Sequence, residues 1–358
     1  MNLTDNSPRI DLWEYLVRTD KKIVMYGMGN GADKILAVCE KYGIEVCDFF
    51  ASDGFVRGHS FHGKTVLSFS DVKKKYGVEN LIVLLSFGSC LTDVLDNIRK
   101  IASECELYAP DVPVCNGELF TMDFAKRNAK RLKNAYSLLA DEESKKIFEN
   151  VVYYKLTGKT EYLFDAESDK DEVYLGLLNA KEIKSYADLG AYNGDTIREL
   201  LSYSPALSTV VAFEPDRRSF RKLSEYCETV KSPRIEKVNA AAWNCEATLT
   251  FGDEGNRNSG LFAKGKAISV AATSLDNVLD GRPVDYIKYD VEGCECEAIE
   301  GSVKTILEYR PRLLVSAYHR SEDIFTLIEQ IHALRPDYSL YLRRYPYIPA
   351  WDLNLICV

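Results

Sequence analysis

The chain has 358 residues, of which 46% are hydrophobic and 28% are charged, and its formal net charge is −9. At this length we expect about two or three domains with buried cores, and the composition argues against a disordered chain. The acidic balance argues against general binding to nucleic acid or to anionic membranes.

Neither a membrane span nor a secretory signal is visible in the sequence. No apolar run approaches the ~20 residues that cross a bilayer, and the first residues lack the basic and apolar regions of a signal peptide. The ten cysteines contain no CxxC pair, so we expect reduced, mostly buried thiols. These features predict a cytoplasmic protein that does not bind membranes.

The first predicted elements form a small α/β unit. A short helix over 12–18 is followed by three strands with helices after the first and third of them. The strands are predicted at 22–26, 46–50 and 81–85. The glycine-rich stretch 27–31 follows the first strand. Because strands that alternate with helices form parallel, right-handed βαβ units, we predict a Rossmann-like domain over residues 1–110.

The strand signal fades over residues 111–182, where 119–139 and 142–154 show helical periodicity and predict a helical connector. From 183 to 358 the alternation of strands and helices resumes. Strands are predicted at 186–189, 209–213, 235–239, 285–289, 313–317, 339–343 and 354–358. The last two have no helix between them and predict an antiparallel hairpin. A seven-stranded α/β sheet ending in a hairpin is typical of class I methyltransferases.

The loop DLGAYNGDT, residues 188–196, follows the first of these strands and opens a helix. Its glycines allow positive φ angles and close approach of a ligand to the backbone, and ligands of open α/β sheets bind at the carboxyl ends of strands. The loop lacks the lysine of a P-loop and the GxGxxG of a dinucleotide turn. Asp188 would repel a diphosphate but could pair with a cationic amino-acid group. The alternative is an ordinary strand–turn–helix.

A second acidic position, Glu214, ends the next strand and is followed by Pro215. A carboxylate there can accept two hydrogen bonds from a ribose diol, and charge-assisted hydrogen bonds contribute about 1.5–3 kcal/mol each. Folds that bind NAD and folds that bind S-adenosylmethionine share this feature. Because the first loop lacks phosphate-binding features, the pair of motifs favours S-adenosylmethionine.

Three carboxylates, Asp290, Glu292 and Glu295, follow the strand IKY. Like charges at close range raise a pKa unless a cation lies among them, so the cluster predicts a site. The alternative is a solvated loop that opens a helix. His319 follows the next strand and should lie near Asp290, although a lone histidine is usually structural. His59, His62 and His332 are interpreted as surface or structural residues.

These motifs together resemble the FkbM family of S-adenosylmethionine-dependent methyltransferases. The resemblance covers about 130–358 and includes LLADEESKKIFENVVYYKLTG, DLGAYNGDT, AFEPD, VNAAAW, TSLDNVL and IKYDVEGCECEAIEGS. It implies a class I fold and methyl transfer, usually to a hydroxyl of a sugar or another natural product. This sequence has Cys294 where the family commonly has a small residue.

The resemblance also implies roles for individual residues. The methionine side of the cofactor would be lined by Asp188, Gly190, Ala191, Gly194, Asp195 and Thr196. The ribose would be bound by Glu214 with Pro215 beside it, and the adenine would pack near Asn239, Ala240 and Ala241. The family pattern does not define the catalytic base.

We predict an in-line transfer in which the protein mainly aligns the two reactants. His319 is the preferred base because its unperturbed pKa is near neutrality, and Asp290 would orient it or act as the base. A second version places Mg²⁺ among Asp290, Glu292 and another oxygen ligand, although no metal site is predicted. Tyr341, Tyr345 and Tyr347 could line an acceptor pocket or belong to the core.

The N-terminal region resembles, less specifically, the small Rossmann-like domains of bacterial sugar-modifying enzymes. The matching segments are IVMYGMGNGADKI, the second strand with Asp48 and Asp53, and HGKTVLSFSDV. The resemblance implies a nucleotide or nucleotide-sugar ligand at the glycine turn, or a domain that only orients substrate or forms a homodimer. The alternative functions are an NAD-dependent sugar oxidoreductase and a non-catalytic binding protein.

Overall fold

The computed structural model describes residues 10–52, 54, 56, 58–115, 117–253 and 266–358, and Asp53 lies outside these residues. The α-helices are α1 Leu12–Arg18, α2 Asn30–Tyr42, α3 Phe69–Tyr76, α4 Thr92–Glu104, α5 Met122–Arg127, α6 Ala129–Leu138, α7 Glu142–Thr157, α8 Glu161–Phe164, α9 Asp195–Tyr203, α10 Arg217–Thr229, α11 Leu275–Leu279, α12 Glu295–Glu300, α13 Val303–Tyr309 and α14 Asp323–Leu334. None of the described helices is both long and apolar enough to cross a membrane.

The strands of the N-terminal region are β1 Lys22–Tyr26, β2 Val46–Ala51, β3 Ser60–Phe61, β4 Lys64–Thr65, β5 Leu67–Ser68, β6 Leu81–Leu85 and β7 Glu106–Tyr108. Five of them form a parallel sheet in the order β5-β2-β1-β6-β7. The three predicted strands are its centre, because their apolar runs are buried on both faces. The edge strands β5 and β7 have two and three residues, which is too short for a recognisable sequence pattern.

The strands of the C-terminal region are β8 Ser185–Leu189, β9 Thr209–Phe213, β10 Arg234–Val238, β11 Ala241–Ala242, β12 Ala247–Asp253, β13 Lys266–Thr273, β14 Tyr286–Tyr289, β15 Arg312–Ser316, β16 Leu340–Arg344 and β17 Leu353–Cys357. Seven form a sheet in the order β10-β9-β8-β14-β15-β17-β16. Only β17 runs antiparallel to both of its neighbours. The predicted α/β class, the seven strands and the terminal hairpin are therefore confirmed.

A three-stranded sheet in the order β11-β13-β12 was not predicted. It consists mainly of the antiparallel pair β12 and β13. This pair lies outside the seven-stranded sheet, so the βα alternation that identifies the main strands does not reveal it.

The helices between the two large sheets pack on both of them. The stretch 119–139 is predicted as one helix, but α5 ends at Arg127 and α6 begins at Ala129, with Asn128 between them. The side chain of Thr121 caps the start of α5 by accepting a hydrogen bond from the backbone N–H of Phe124. One hydrophobic core joins side chains from β6, from α6 and α7 and from β15. The boundaries at 110 and 182 stay a prediction, since this core crosses them.

A buried arginine ties α7 to the terminal hairpin. Arg343, on β16, is 2% exposed, and its guanidinium lies 2.6 Å from Asp141 and 3.2 Å from Glu143. It also donates a hydrogen bond of 2.8 Å to the hydroxyl of Ser144. Because Asp141 caps the N-terminus of α7, the guanidinium fixes the start of this helix against the sheet.

Replacement of this arginine tests the contact. Arg343→Ala leaves the carboxylates of Asp141 and Glu143 without their shared cation, so we expect the free energy of unfolding to fall by about 3 kcal/mol. Arg221→Ala is the matched control, because Arg221 is largely exposed and only 3.7 Å from Glu225, and it should change stability little. Urea denaturation followed by circular dichroism measures both, and equal stability of the two variants would contradict the contact's importance.

Candidate functional site

The carboxyl ends of four adjacent strands, β9, β8, β14 and β15, meet at one edge of the large sheet. The loops that follow them enclose a cavity of about 200 Å³. Eight of the residues predicted for the site line it: Gly190, Asp195, Thr196, Glu214, Pro215, Ala241, Asp290 and Glu292. The structure therefore brings together side chains from motifs that lie about a hundred residues apart in the sequence.

The loop after β8 lies directly against the loop after β14. Gly190 has φ +95°, and a Cβ atom on it would lie 1.9 Å from the carbonyl oxygen of Asp290, so only glycine fits there. Three other predicted residues, Asp188, Ala191 and Gly194, do not line the cavity. They hold the loop through hydrogen bonds within it. The hydroxyl of Thr196 donates to Asp188, and the N–H of Gly194 donates to the carbonyl of Ala191.

Glu214 is held at the end of β9 by the backbone. Its two carboxylate oxygens accept hydrogen bonds from the N–H groups of Tyr192, at 2.9 Å, and of Asp216, at 2.8 Å. Burial nevertheless raises the pKa of Glu214 to about 8. The group is therefore mostly protonated at neutral pH in the free protein, and a partner that donates hydrogen bonds would favour its charged form.

The segment predicted to lie by the adenine is only partly at the cavity. Ala241 lines it together with Ala242, which was not predicted, and Ala240 does not. The side-chain amide of Asn239 donates a hydrogen bond of 2.8 Å to the carbonyl of Glu214. Asn239 therefore braces the end of β9 instead of forming the wall.

Two functional side chains at the carboxylate cluster were missed in the sequence. Lys288, 7% exposed on β14, lies 2.9 Å from Asp290 and is paired in register with Asp188 on β8. The hydroxyl of Tyr318 donates to the other oxygen of Asp290 at 3.1 Å. Desolvation opposes the charge on Asp290, but Lys288 and His319 outweigh it and lower its pKa to about 2. The sequence did contain a signal for Lys288. It is a lysine inside an otherwise apolar strand, and such a charge is rarely buried without a partner.

His319 is enclosed by carboxylates and is 1% exposed. Its Nδ1 lies 3.0 Å from Glu295, and its Nε2 lies 3.6 Å from both Asp290 and Glu292. Burial alone would lower the pKa of the imidazole, but the three carboxylates together raise it to about 10. The expectation of a histidine that titrates near neutrality is therefore wrong, since the ring is a cation at neutral pH.

The pKa of Glu292 moves in the other direction from that of Asp290. Desolvation and the neighbouring carboxylates Asp290 and Glu295 raise it to about 7, against the opposing charge of His319. The two carboxylates at this edge of the sheet thus differ in pKa by several units. Such separation is typical of groups that perform acid–base chemistry.

The residues do not fit the Mg²⁺ version of the site. Both oxygens of Asp290 are engaged by Lys288 and Tyr318, and the imidazolium of His319 faces Asp290 and Glu292. Among the described residues, no group of three or more histidine, cysteine, aspartate or glutamate side chains has the arrangement to hold a metal ion. The protein's own cations occupy the place that a metal ion would take.

A second cavity, of about 340 Å³, opens on the other side of the cluster. It shares Asp195, Thr196, Lys288, Asp290, Glu292 and Tyr318 with the first cavity. Aromatic rings form much of its remaining wall: Tyr174, Tyr345, Tyr347 and Trp351. Tyr341, predicted as an alternative wall residue, packs on the hydrophobic core instead. After the expectations from the sequence, we call the first space the cofactor cavity and the second the acceptor cavity.

Comparison with known proteins identifies the C-terminal region. Residues 188–345 match the family model described as the methyltransferase FkbM domain. This part of the chain is an FkbM methyltransferase domain. No curated protein matches the chain.

One solved structure has a similar fold over nearly the whole chain. Methyltransferase FkbM from Methylobacillus flagellatus KT is 22% identical, with a TM-score of 0.72, and the match covers 97% of this chain and 92% of that one. An rRNA methylase from Streptococcus thermophilus is 13% identical with a TM-score of 0.35, over 50% of this chain and 90% of that one. The first of these shows that the fold extends over both regions of the chain.

The FkbM methyltransferase domain makes this chain an S-adenosylmethionine-dependent methyltransferase, as predicted. This sets aside the alternatives of an NAD-dependent oxidoreductase and of a protein that only binds nucleotides. The resemblance of the N-terminal region to domains of sugar-modifying enzymes is not tested by these comparisons and stays a prediction.

The close approach of the two loops gives a direct test. Gly190→Ala places a methyl group on the backbone of Asp290, so we expect it to lower the free energy of unfolding by about 2–4 kcal/mol and to open the cofactor cavity. Gly281→Ala is the control, because Gly281 also has a positive φ but open space around it, and should cost only about 1 kcal/mol. Urea denaturation compares them, and a Gly190→Ala variant as stable as the control would contradict the packing.

Proposed function

We propose that this FkbM methyltransferase transfers a methyl group from S-adenosylmethionine to a hydroxyl of a carbohydrate or a similar polyhydroxylated small molecule. The observation that carries the proposal is the acceptor cavity, where aromatic rings alternate with hydrogen-bonding side chains. Flat rings offer apolar contact to a sugar face, and Glu199, Asp352 and Asn354 offer partners to its hydroxyls. A small number of polar groups among apolar walls is typical of small-molecule sites.

The cofactor cavity fits the methyl donor by the chemistry of its walls. We propose that Glu214 accepts hydrogen bonds from the ribose diol, with Pro215, Ala241 and Ala242 against the adenine. Gly190, Asp195 and Thr196 would contact the methionine portion, with Asp188, Ala191 and Gly194 supporting that loop. When bound, S-adenosylmethionine supplies an electrophilic methyl group on its sulfonium.

Of the three predicted catalytic residues, Glu292 is our candidate for the base. It lines both cavities, and with a pKa of about 7 it is partly ionised at neutral pH and can hold the proton that a hydroxyl releases. Asp290, with a pKa of about 2, is a weaker base. His319 is already protonated, so its ring cannot accept a proton, and its charge instead balances the carboxylates around it.

Replacement of the base separates chemistry from binding. Glu292→Gln should lower kcat for methyl transfer by about 10²–10⁴-fold and leave the Kd for S-adenosylhomocysteine within about threefold of wild type. Glu300→Gln is the control, because Glu300 is exposed at the end of α12. Transfer of labelled methyl groups is measured with a panel of methyl glycosides and, for comparison, primary amines. Methylation of the amines alone would contradict the hydroxyl acceptor, and an active Glu292→Gln would contradict the base.

Binding of the cofactor should be linked to proton release. In the free protein the pKa of Glu214 is about 8, so the side chain is mostly protonated at pH 7. Hydrogen bonds from a ribose diol favour the carboxylate and lower its pKa, so binding should release up to about one proton at pH 7 and almost none at pH 9.5.

Calorimetry of S-adenosylhomocysteine binding in two buffers of different ionisation enthalpy measures this release. Glu214→Gln should bind more weakly and release no proton, because the amide does not titrate. Glu300→Gln is the comparison, because Glu300 is exposed at the end of α12 and does not line the cofactor cavity, and it should keep the linkage. Equal heats in both buffers for the wild-type protein at pH 7 would contradict the role of Glu214.

The other expected partners stay predictions. A third cavity, of about 220 Å³, lies at the glycine turn of the N-terminal region and shares Val114 and Trp351 with the acceptor cavity. This adjacency is compatible with a nucleotide-sugar ligand there. A homodimer, a cytoplasmic location and the absence of nucleic-acid partners also stay predictions.

A further inference from the structure

The backbone at Glu292 has a conformation that needs support. Its φ is +53°, in the left-handed region that residues with a Cβ rarely adopt and that persists only where the surroundings hold it. Gly293, the next residue, also has a positive φ. The loop 291–293 therefore needs contacts that hold the Glu292 backbone, and with it the carboxylate, in place.

One support comes from the same loop. Glu295, 1% exposed, accepts a hydrogen bond of 3.0 Å from the N–H of Val291 and a longer one, of 3.4 Å, from the N–H of Gly293. These two bonds bracket Glu292 on both sides. They leave the carbonyl of Glu292 itself without support from this loop.

The other support comes from far away in the sequence. The thiol of Cys115 donates a hydrogen bond of 2.9 Å to the carbonyl oxygen of Glu292, across 177 positions of the chain. A Cβ on Gly293 would lie 2.8 Å from this sulfur, so the thiol packs directly on the loop. The N–H groups of Val114 and Cys115 both lie within hydrogen-bonding distance of the carbonyl of His319, at 3.1 and 3.4 Å.

The segment that carries Cys115 is anchored at its other end. Asp111 forms a buried ion pair with Lys155 of α7 at 3.1 Å, and the N–H of Ala109 donates a hydrogen bond of 2.7 Å to the carbonyl of Gly158. Residues 109–115 thus form a strap from the N-terminal sheet, past α7, to the loops that carry Glu292 and His319. Burial and nearby carboxylates raise the pKa of the Cys115 thiol far above its usual value, so the sulfur keeps its proton and can donate it in a hydrogen bond.

We propose that Cys115 is a positioning residue for methyl transfer, whose thiol holds the Glu292 backbone so that the carboxylate faces both cavities and His319. The N-terminal region would then complete the active site through this strap. The inference rests on the proposed role of Glu292 as the base, but its structural consequence can be measured without any acceptor.

The charge state of His319 reports where the Glu292 carboxylate lies. The titratable groups that face the imidazole are Asp290, Glu292, Glu295, Asp323 and Tyr318. If Glu292 moves away, one of the nearby negative charges is lost and the pKa of His319 falls. Nitrogen-15 NMR of the imidazole measures that pKa, and the signal is assigned with a His319→Gln variant.

Three substitutions test the thiol. Cys115→Ala and Cys115→Val, one smaller and one larger than cysteine, both remove the donor, and in each we expect the pKa of His319 to fall by on the order of one unit. Cys115→Ser keeps a donor and should keep the wild-type pKa. Cys105→Ala is the control, because the Cys105 thiol donates its hydrogen bond to the carbonyl of Ile101 near the end of α4 and not to the loop of Glu292. Two donor-free variants of different size keep the test usable if one fails to fold.

Kinetics with an acceptor that is turned over separates the two proposals. The donor-free variants should lose about tenfold in kcat, with the KM for S-adenosylmethionine unchanged and with recovery in Cys115→Ser. An unchanged His319 pKa in both donor-free variants would overturn the positioning role and leave Glu292 as the base. A fully active Glu292→Gln together with the expected fall in pKa would instead overturn the base, and the strap would keep only a structural role.

Discussion

The site depends on the balance of charge at the ends of β14 and β15. Asp290, Glu292 and Glu295 converge there on the ring of His319, and Lys288 lies against Asp290 from within the sheet. Carboxylates crowded in a cavity repel each other and resist ionisation, so without the two cations the loops could not remain close. The cost is that both cations are committed to neutralising the cluster, and neither is available for other chemistry.

The acidic groups at the site differ in pKa because their surroundings differ. Asp290, in contact with Lys288 and His319, stays ionised, whereas Glu292, farther from Lys288, titrates near neutrality. The pKa of Glu214 is raised for a different reason, because the effect of burial outweighs that of its two backbone hydrogen bonds. In our proposal, carboxyl groups thus supply a fixed charge, a base and a ligand for a diol, and their surroundings determine which.

The N-terminal part of the chain contacts the C-terminal region and the site directly. One hydrophobic core crosses between the sheets, the strand-like contact between Ser89 and Ile348 joins the N-terminal region to the loop before β17, and Cys115 reaches the carbonyl of Glu292. Val114, from the strap, and Trp351, from the loop before β17, both line the acceptor cavity. A substrate in that cavity would touch both.

Local sequence patterns were enough to predict the two α/β regions, the seven strands, the terminal hairpin and the loops that carry Asp188, Glu214, Asp290 and His319. This was possible because strand periodicity is local, and because parallel strands present their following loops at one edge of the sheet. The protonation of His319, the part played by Lys288, the bracing role of Asn239 and the contact made by Cys115 were decided only by the tertiary structure. Each depends on distances between residues remote in sequence, and a pKa or a buried contact follows from those distances and from desolvation rather than from residue type.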